Sequence, residues 1–196
     1  MDDKTALEDL QYIRKVIEDS KRTMAYNGMD YIFWGILVII GMLLMYILIL
    51  NHVFFNYLWI WLGLVSIGWA YSFFNKTKYY TDRPRTFTTR VASSVWLASG
   101  IAMTILGFVG PLANAFQPMF ISPVLSVVLG IAYFITGYIF ESRWFSYLSF
   151  GWWTGGIVLF FYPGIHSLLI MALMMLFFQT IPGIIMFRKY KKEVAI

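Results

Sequence analysis

The side chains able to do chemistry are few, and their spacing pairs almost none of them. His52 and His166 are the only two histidines, and each falls at the rim of a long apolar run. A pH-sensing role and plain interfacial hydrogen bonding both suit an imidazole there. A zinc site needs about four ligands. The chain has no cysteine, and the segments beside the histidines carry no Asp or Glu, so no metal site is expected. Gln179-Thr180-Ile181-Pro182-Gly183 is the most polar interruption inside an apolar run. Pro182 lacks an N–H and crowds the carbonyl four residues earlier, so the helix should bend there. Gln179 then either satisfies the freed backbone or faces a gate or cavity. Trp152 and Trp153 belong to an interfacial aromatic belt on the plain reading. They stand deeper than a belt requires, and the sharper reading is an aromatic-lined pocket able to hold a cation.

Signatures of catalysis are missing. The sequence has no H-E-x-x-H, no G-x-S-x-G and no phosphate-binding glycine loop. An aspartyl intramembrane protease would need two embedded Asp residues, and a rhomboid-type protease a serine and a histidine within the apolar runs. No catalytic residue, cofactor or metal ligand is assigned, and the chain is read as non-enzymatic.

What must position these residues is a set of membrane helices. Hydrophobic residues make up 60% of the chain and charged ones 13%, against about 45–50% and 25% in soluble domains. A bilayer core of about 30 Å needs roughly 20 apolar helical residues. Six runs free of Asp, Glu, Lys and Arg meet that need: residues 31–50, 57–74, 91–109, 124–140, 145–162 and 165–187. None alternates with the two-residue period of a membrane barrel. The expected fold is all-α and polytopic: six transmembrane helices as three antiparallel hairpins, preceded by a cytoplasmic amphipathic helix. The expected organisation is residues 1–30 as that helix, 31–187 as the transmembrane domain and 188–196 as a basic tail. Seven acids and five bases in the first 30 residues do not make a signal-peptide n-region, so the first span should be an uncleaved anchor.

Charge sets the expected orientation. All 15 Lys and Arg residues fall in residues 1–30, 75–90, 141–144 and 188–196. Residues 51–56, 110–123 and 163–164 carry no charge of either sign. Basic segments stay inside, which makes both termini cytoplasmic. The loop with Lys76, Lys78, Arg83, Arg85 and Arg90 would attract anionic lipid headgroups. Ordinary topology determination explains the same bases equally well, and no nucleic-acid-binding element accompanies them.

Small residues point to helix contacts. Lipid tails are as apolar as leucine, so spans meet where small side chains let backbones approach. Gly151 and Gly155 form a GxxxG element, and Ser122, Ser126 and Gly130 continue a small-every-four stripe. Intramolecular packing is the expected use, and a homo-oligomer seam is the alternative. Trp34-Gly35-Ile36 recurs loosely at Trp96…Gly100-Ile101 and Trp153…Gly156-Ile157, either a worn hairpin repeat or chance likeness among apolar helices.

The N-terminal segment has its own pattern. Thr5 and Glu8 fit a capping box, and Asn27-Gly28 supplies a stop. Ala6, Leu10, Ile13, Ile17, Ser20 and Met24 follow one another at steps of four and three, a narrow helix–helix seam. Acids lead and bases follow, which complements the helix dipole. Net charge over residues 1–30 is 5 − 7 = −2, whereas helices that lie on anionic lipid are basic. The seam Leu10, Ile13, Ile17 and Met24 is therefore expected to dock on protein, cytoplasmic or membrane-embedded.

The run Tyr12-Ile13-Arg14-Lys15-Val16-Ile17-Glu18-Asp19-Ser20, through Tyr26-Asn27-Gly28-Met29-Asp30 into Phe33-Trp34-Gly35, resembles the opening of a group of small bacterial membrane proteins. The resemblance covers about 30 residues. It implies a bacterial cytoplasmic membrane and carries neither an activity nor site residues. The six-span plan is also similar to acid-stress membrane proteins of the HdeD type, in architecture alone. Two functions remain open at this level. One is an interaction or regulatory module with a docking helix. The other is a small carrier or facilitator for an apolar or cationic solute, using Gln179, Pro182, Trp152 and Trp153.

Overall fold

The structure, a computed structural model, describes residues 28–53, 56–79 and 87–194, with side chains omitted for 75–79 and 190–194. The seam residues Leu10, Ile13, Ile17 and Met24 lie outside the described residues. Among those described, every regular element is helical: α1 (Gly28–Leu50), α2 (Tyr57–Tyr79), α3 (Phe87–Thr104), α4 (Ile121–Ile139), α5 (Arg143–Phe161), α6 (His166–Met175) and α7 (Ile181–Val194).

Five helical stretches are long and apolar enough to cross a membrane: Gly28–Leu50, Tyr57–Phe74, Phe87–Leu112, Pro118–Ile139 and His166–Lys189. Helix α5, expected as a span, has 19 residues but is not among them. Its serines, glycines and tryptophans dilute its hydropathy. The same residues explain the shortfall physically, because Phe145, Ser149, Trp152, Gly156 and Leu159 are buried against other helices. A helix so enclosed needs less apolar surface toward lipid.

Two of these stretches are broken by a π-helical turn, at Ile105–Val109 after α3 and at Leu176–Thr180 between α6 and α7. A proline follows each turn at the second residue beyond it, Pro111 and Pro182 respectively. A proline ring collides with the carbonyl four residues back. A wider turn with one extra residue moves that carbonyl away and lets the helix continue. What the structure shows at Pro182 is a π turn.

Three helix ends use a left-handed residue other than glycine. His52 (φ 54°), Asn114 (φ 55°) and Glu141 (φ 51°) each stand two positions past the last helical residue, at Leu50, Leu112 and Ile139. At all three the next N–H reaches back five residues: Val53 to Leu48, Ala115 to Gly110 and Ser142 to Gly137. These bonds satisfy carbonyls that a helix end leaves open.

Close approaches fix the packing. A Cβ built on Gly137 would meet the Ser146 backbone, and one on Gly130 the Trp153 indole, which sets α4 antiparallel to α5 along its length. Gly151 receives Phe178 and Gly155 receives Met174, so the GxxxG element packs within the chain, on α6 and the π turn that follows it. Helix α1 crosses α7 at Gly28 and Gly183, and its Gly35 lies against Thr180 in the π turn. Trp34 covers Gly68 of α2 and donates its indole N–H to Ser72 Oγ at 3.0 Å. Trp69 of α2 reaches Gly100 of α3. Beyond that contact an apolar groove of about 530 Å³ opens between α2 and the first π turn.

Candidate functional site

Helix α4 buries an unusual face. Ser122, Ser126, Leu129, Tyr133, Thr136 and Phe140 are buried, while Val127, Ile131, Ile135 and Tyr138 are exposed. The β-branched apolar residues point outward and the small and polar ones inward, as a helix surrounded by lipid should arrange them.

Tyr133 is the centre of that face, with no exposed surface. Its ring stacks on Phe145 of α5 at 4.8 Å. It meets Trp96 of α3 at 5.4 Å and Tyr31 of α1 at 5.8 Å. Trp152 of α5 lies 6.0 Å away, and Phe178 of the second π turn lies 6.0 Å beyond that. Tyr31 closes the ring of contacts, edge-on to Trp96 at 5.1 Å and to Phe145 at 5.6 Å. Edge-to-face and offset aromatic pairs each contribute about 0.5–1.5 kcal/mol. Helices α1, α3, α4 and α5 and the π turn all supply this one layer.

Gln179 enters the same layer. It is 4% exposed, and Tyr133 Oη donates to its Oε1 at 3.3 Å. Of the two roles open to Gln179 from its position, this contact is to a side chain on another helix. The side chain that reaches back to the backbone is instead Thr180, whose hydroxyl donates to the Met175 carbonyl at 3.1 Å. The π turn makes this division possible, since it places Gln179 and Thr180 both inward. Pro182, buried two residues on, serves through the turn it imposes.

Trp152 and Trp153 part company. Trp152 is fully buried in the layer. Trp153 lies over Gly130, stacks near Phe134 at 5.6 Å and donates to the Val127 carbonyl at 3.3 Å. They are neighbours in sequence on different faces, so they do not form one wall.

Several helix hydroxyls turn back on their own helices, Thr104 to Gly100, Ser126 to Ser122 and Thr154 to Phe150. Three buried polar atoms stand out: Thr136 Oγ1 and Trp152 Nε1 have no hydrogen-bond partner among the described residues, and Trp96 Nε1 is enclosed beside the Tyr31 side chain, with which it interacts. All three belong to the layer around Tyr133. Trp96 and Trp152 touch its ring, and Thr136 stands one turn along α4.

His166 faces Tyr46, whose hydroxyl lies 3.5 Å from Nδ1, and His52 is the left-handed cap of α1. Among the described residues no three His, Cys, Asp or Glu side chains converge. Tyr31, Tyr133 and Phe145 are the residues that motif reasoning missed. The inverted face of α4 was their available signal. No protein-family model, curated protein or solved structure matches this chain.

Proposed function

We propose that this is a non-enzymatic membrane protein of a bacterial cytoplasmic membrane, an interaction or regulatory module whose N-terminal helix docks a protein partner. In this reading α5 is the sixth crossing, the spans pair as three hairpins, and both termini are cytoplasmic. The observation that carries the reading is the filled centre of the bundle. Tyr133, Phe145 and Trp152 each have no exposed surface and occupy the level where a carrier needs a path. Helix α1, which follows the proposed docking segment in sequence, is held against α7 at Gly28 and Gly183. The basic tail belongs to α7, so docking would act on a fixed crossing at the cytoplasmic end.

The test is Ile13→Asp combined with Ile17→Asp. Insertion should stay intact, because the spans are untouched, while a partner recovered from native membranes with the wild-type protein should be lost. Unchanged copurification together with unchanged protease protection of residues 1–28 would sink the docking role. Orientation has its own check. A cysteine at Asn56 or Asn114 should react with an impermeant thiol reagent in intact cells, and one at Thr81 should not. Outside labelling at Thr81 reverses the topology.

A second reading, a small carrier for an apolar or cationic solute, is favoured by one observation. Gln179 lies in a π turn beside Pro182, and π turns within helices often mark functional sites.

A further inference from the structure

We infer that α2 closes over the apolar groove and seats Phe108 on Gly63, bringing the first half of the bundle into the packing that the second half already has. The closure stands with either reading of function, since it rests on how the two halves compare.

Contacts give the helix directions. Trp34 meets Gly68 and Gly41 meets Trp61, so α1 and α2 are antiparallel, as α4 and α5 are. Helix α1 runs antiparallel to the stretch from α6 to α7, with Tyr46 near His166 and Gly28 near Gly183. Helix α5 also runs against that stretch, with Gly155 on Met174 and Gly151 on Phe178. Hence α1 opposes α4 in direction, and α2 opposes α5. Packing partners correspond too. The stretch from α6 to α7 packs on α1, and α3 with its π turn packs on α4. Each of these two stretches is interrupted by its π turn, with a proline beyond it. The chain is thus an inverted repeat, and in membrane proteins built this way one repeat rocks against the other.

Only the second half is closed. Gly63 and Gly68 of α2 are five residues apart, and so are Gly151 and Gly156 of α5. Gly68 lies against α1 and Gly156 against α4, so the two pairs occupy matching places. Gly151 then receives the Phe178 ring from the second π turn, whereas nothing stands within 4 Å of a Cβ built on Gly63. The corresponding ring is Phe108 of the first π turn, which lines the groove together with Leu62, Val65 and Ser66 of α2. Trp69 on Gly100 already joins α2 to α3 at one end of that groove. No charged residue lines it, and the Thr104 hydroxyl is bonded to the Gly100 carbonyl. Closing therefore buries no charge and gains the close helix packing that holds membrane bundles together.

The chain has no cysteine, so Ser66→Cys with Thr104→Cys offers a single possible bridge, across the groove. A disulfide needs Cα atoms within about 7 Å, an approach that closure supplies. In the full chain in lipid vesicles, each single cysteine should react with N-ethylmaleimide, and the pair should bridge within one chain under mild oxidation. Adding Gly63→Leu should slow that bridging about tenfold, because the leucine takes the seat of the Phe108 ring. Gly63 is open, so maleimide access should stay as before, which shows that the variant still folds. Unreactive single cysteines would mean that the groove is not open. A pair that never bridges, a bridge between two copies instead of within one, or a rate indifferent to Gly63→Leu would each overturn the closure.

Discussion

Gly28→Val is expected to destabilise the folded protein by about 3 kcal/mol, the upper part of the usual range for overpacking. A Cβ built on Gly28 would lie 2.6 Å from the Gly183 carbonyl oxygen and 2.7 Å from the Phe187 amide nitrogen. Both obstacles are backbone, so no rotamer change makes room and α1 must move off α7. Gly183→Val meets the same crossing from the other side, at 2.8 Å from the Gly28 oxygen and 2.9 Å from Tyr31 Cβ. The internal control is Gly63→Ala, where nothing lies within 4 Å and helix propensity predicts a gain of about 0.5–1 kcal/mol. Denaturant or thermal unfolding in micelles reads all three variants. Wild-type stability in both valine variants would mean that α1 and α7 do not cross at these glycines. The crossing also bears on docking. In the proposed docking role the seam residues precede α1 in sequence, so partner capture should weaken in Gly28→Val even with the seam intact.

The membrane character of this chain is legible because lipid imposes a simple rule: long runs without charge must be helices. Five of the six expected runs satisfy it by composition alone. Helix α5 is harder to read, because burial inside the bundle replaced apolar residues with Ser149, Gly156 and Trp152. Both π turns escaped the same reasoning. A proline in an apolar run announces a disturbance, but Pro111 read as the start of an outer loop, and only three-dimensional continuity shows the helix passing through it to Leu112. His52 drew attention as a titratable group, whereas its φ of 54° gives it a backbone task that no side-chain argument foresees. Of the candidate site, Gln179 and Trp152 were visible as odd residues in apolar surroundings. Their common partner was not, because Tyr133 lies 46 positions from Gln179 and no local pattern records such a pairing. The small and polar face of α4 did record it indirectly, since lipid sends Val127, Ile131 and Ile135 outward and leaves the interior to what remains.

Trp152→Ala is expected to lose about 3 kcal/mol, and Trp153→Ala about half as much. Truncating a buried tryptophan removes about 3–5 kcal/mol in a soluble core. The lower end applies here, because an unfolded span in lipid is as apolar as the folded interior and only packing is lost. Trp152 has no exposed surface and joins Tyr133 on α4 to Phe178 in the π turn, each with ring centroids 6.0 Å away. Its removal opens a void where α4, α5 and the π turn meet, and the neighbours that would have to collapse into it are held by contacts of their own. Trp153 is half-buried. Its loss empties only the notch over Gly130 and one bond of 3.3 Å to the Val127 carbonyl, and lipid can fill that space. Unfolding of both variants in micelles, compared with Trp152→Phe as a ring-preserving control, measures the difference. Equal losses in the two alanine variants would remove Trp152 from the centre of the fold. If the larger loss falls on Trp152, and Trp152→Phe recovers most of it, ring packing outweighs the indole N–H in holding the layer together. The small remainder is then the share that belongs to the indole N–H.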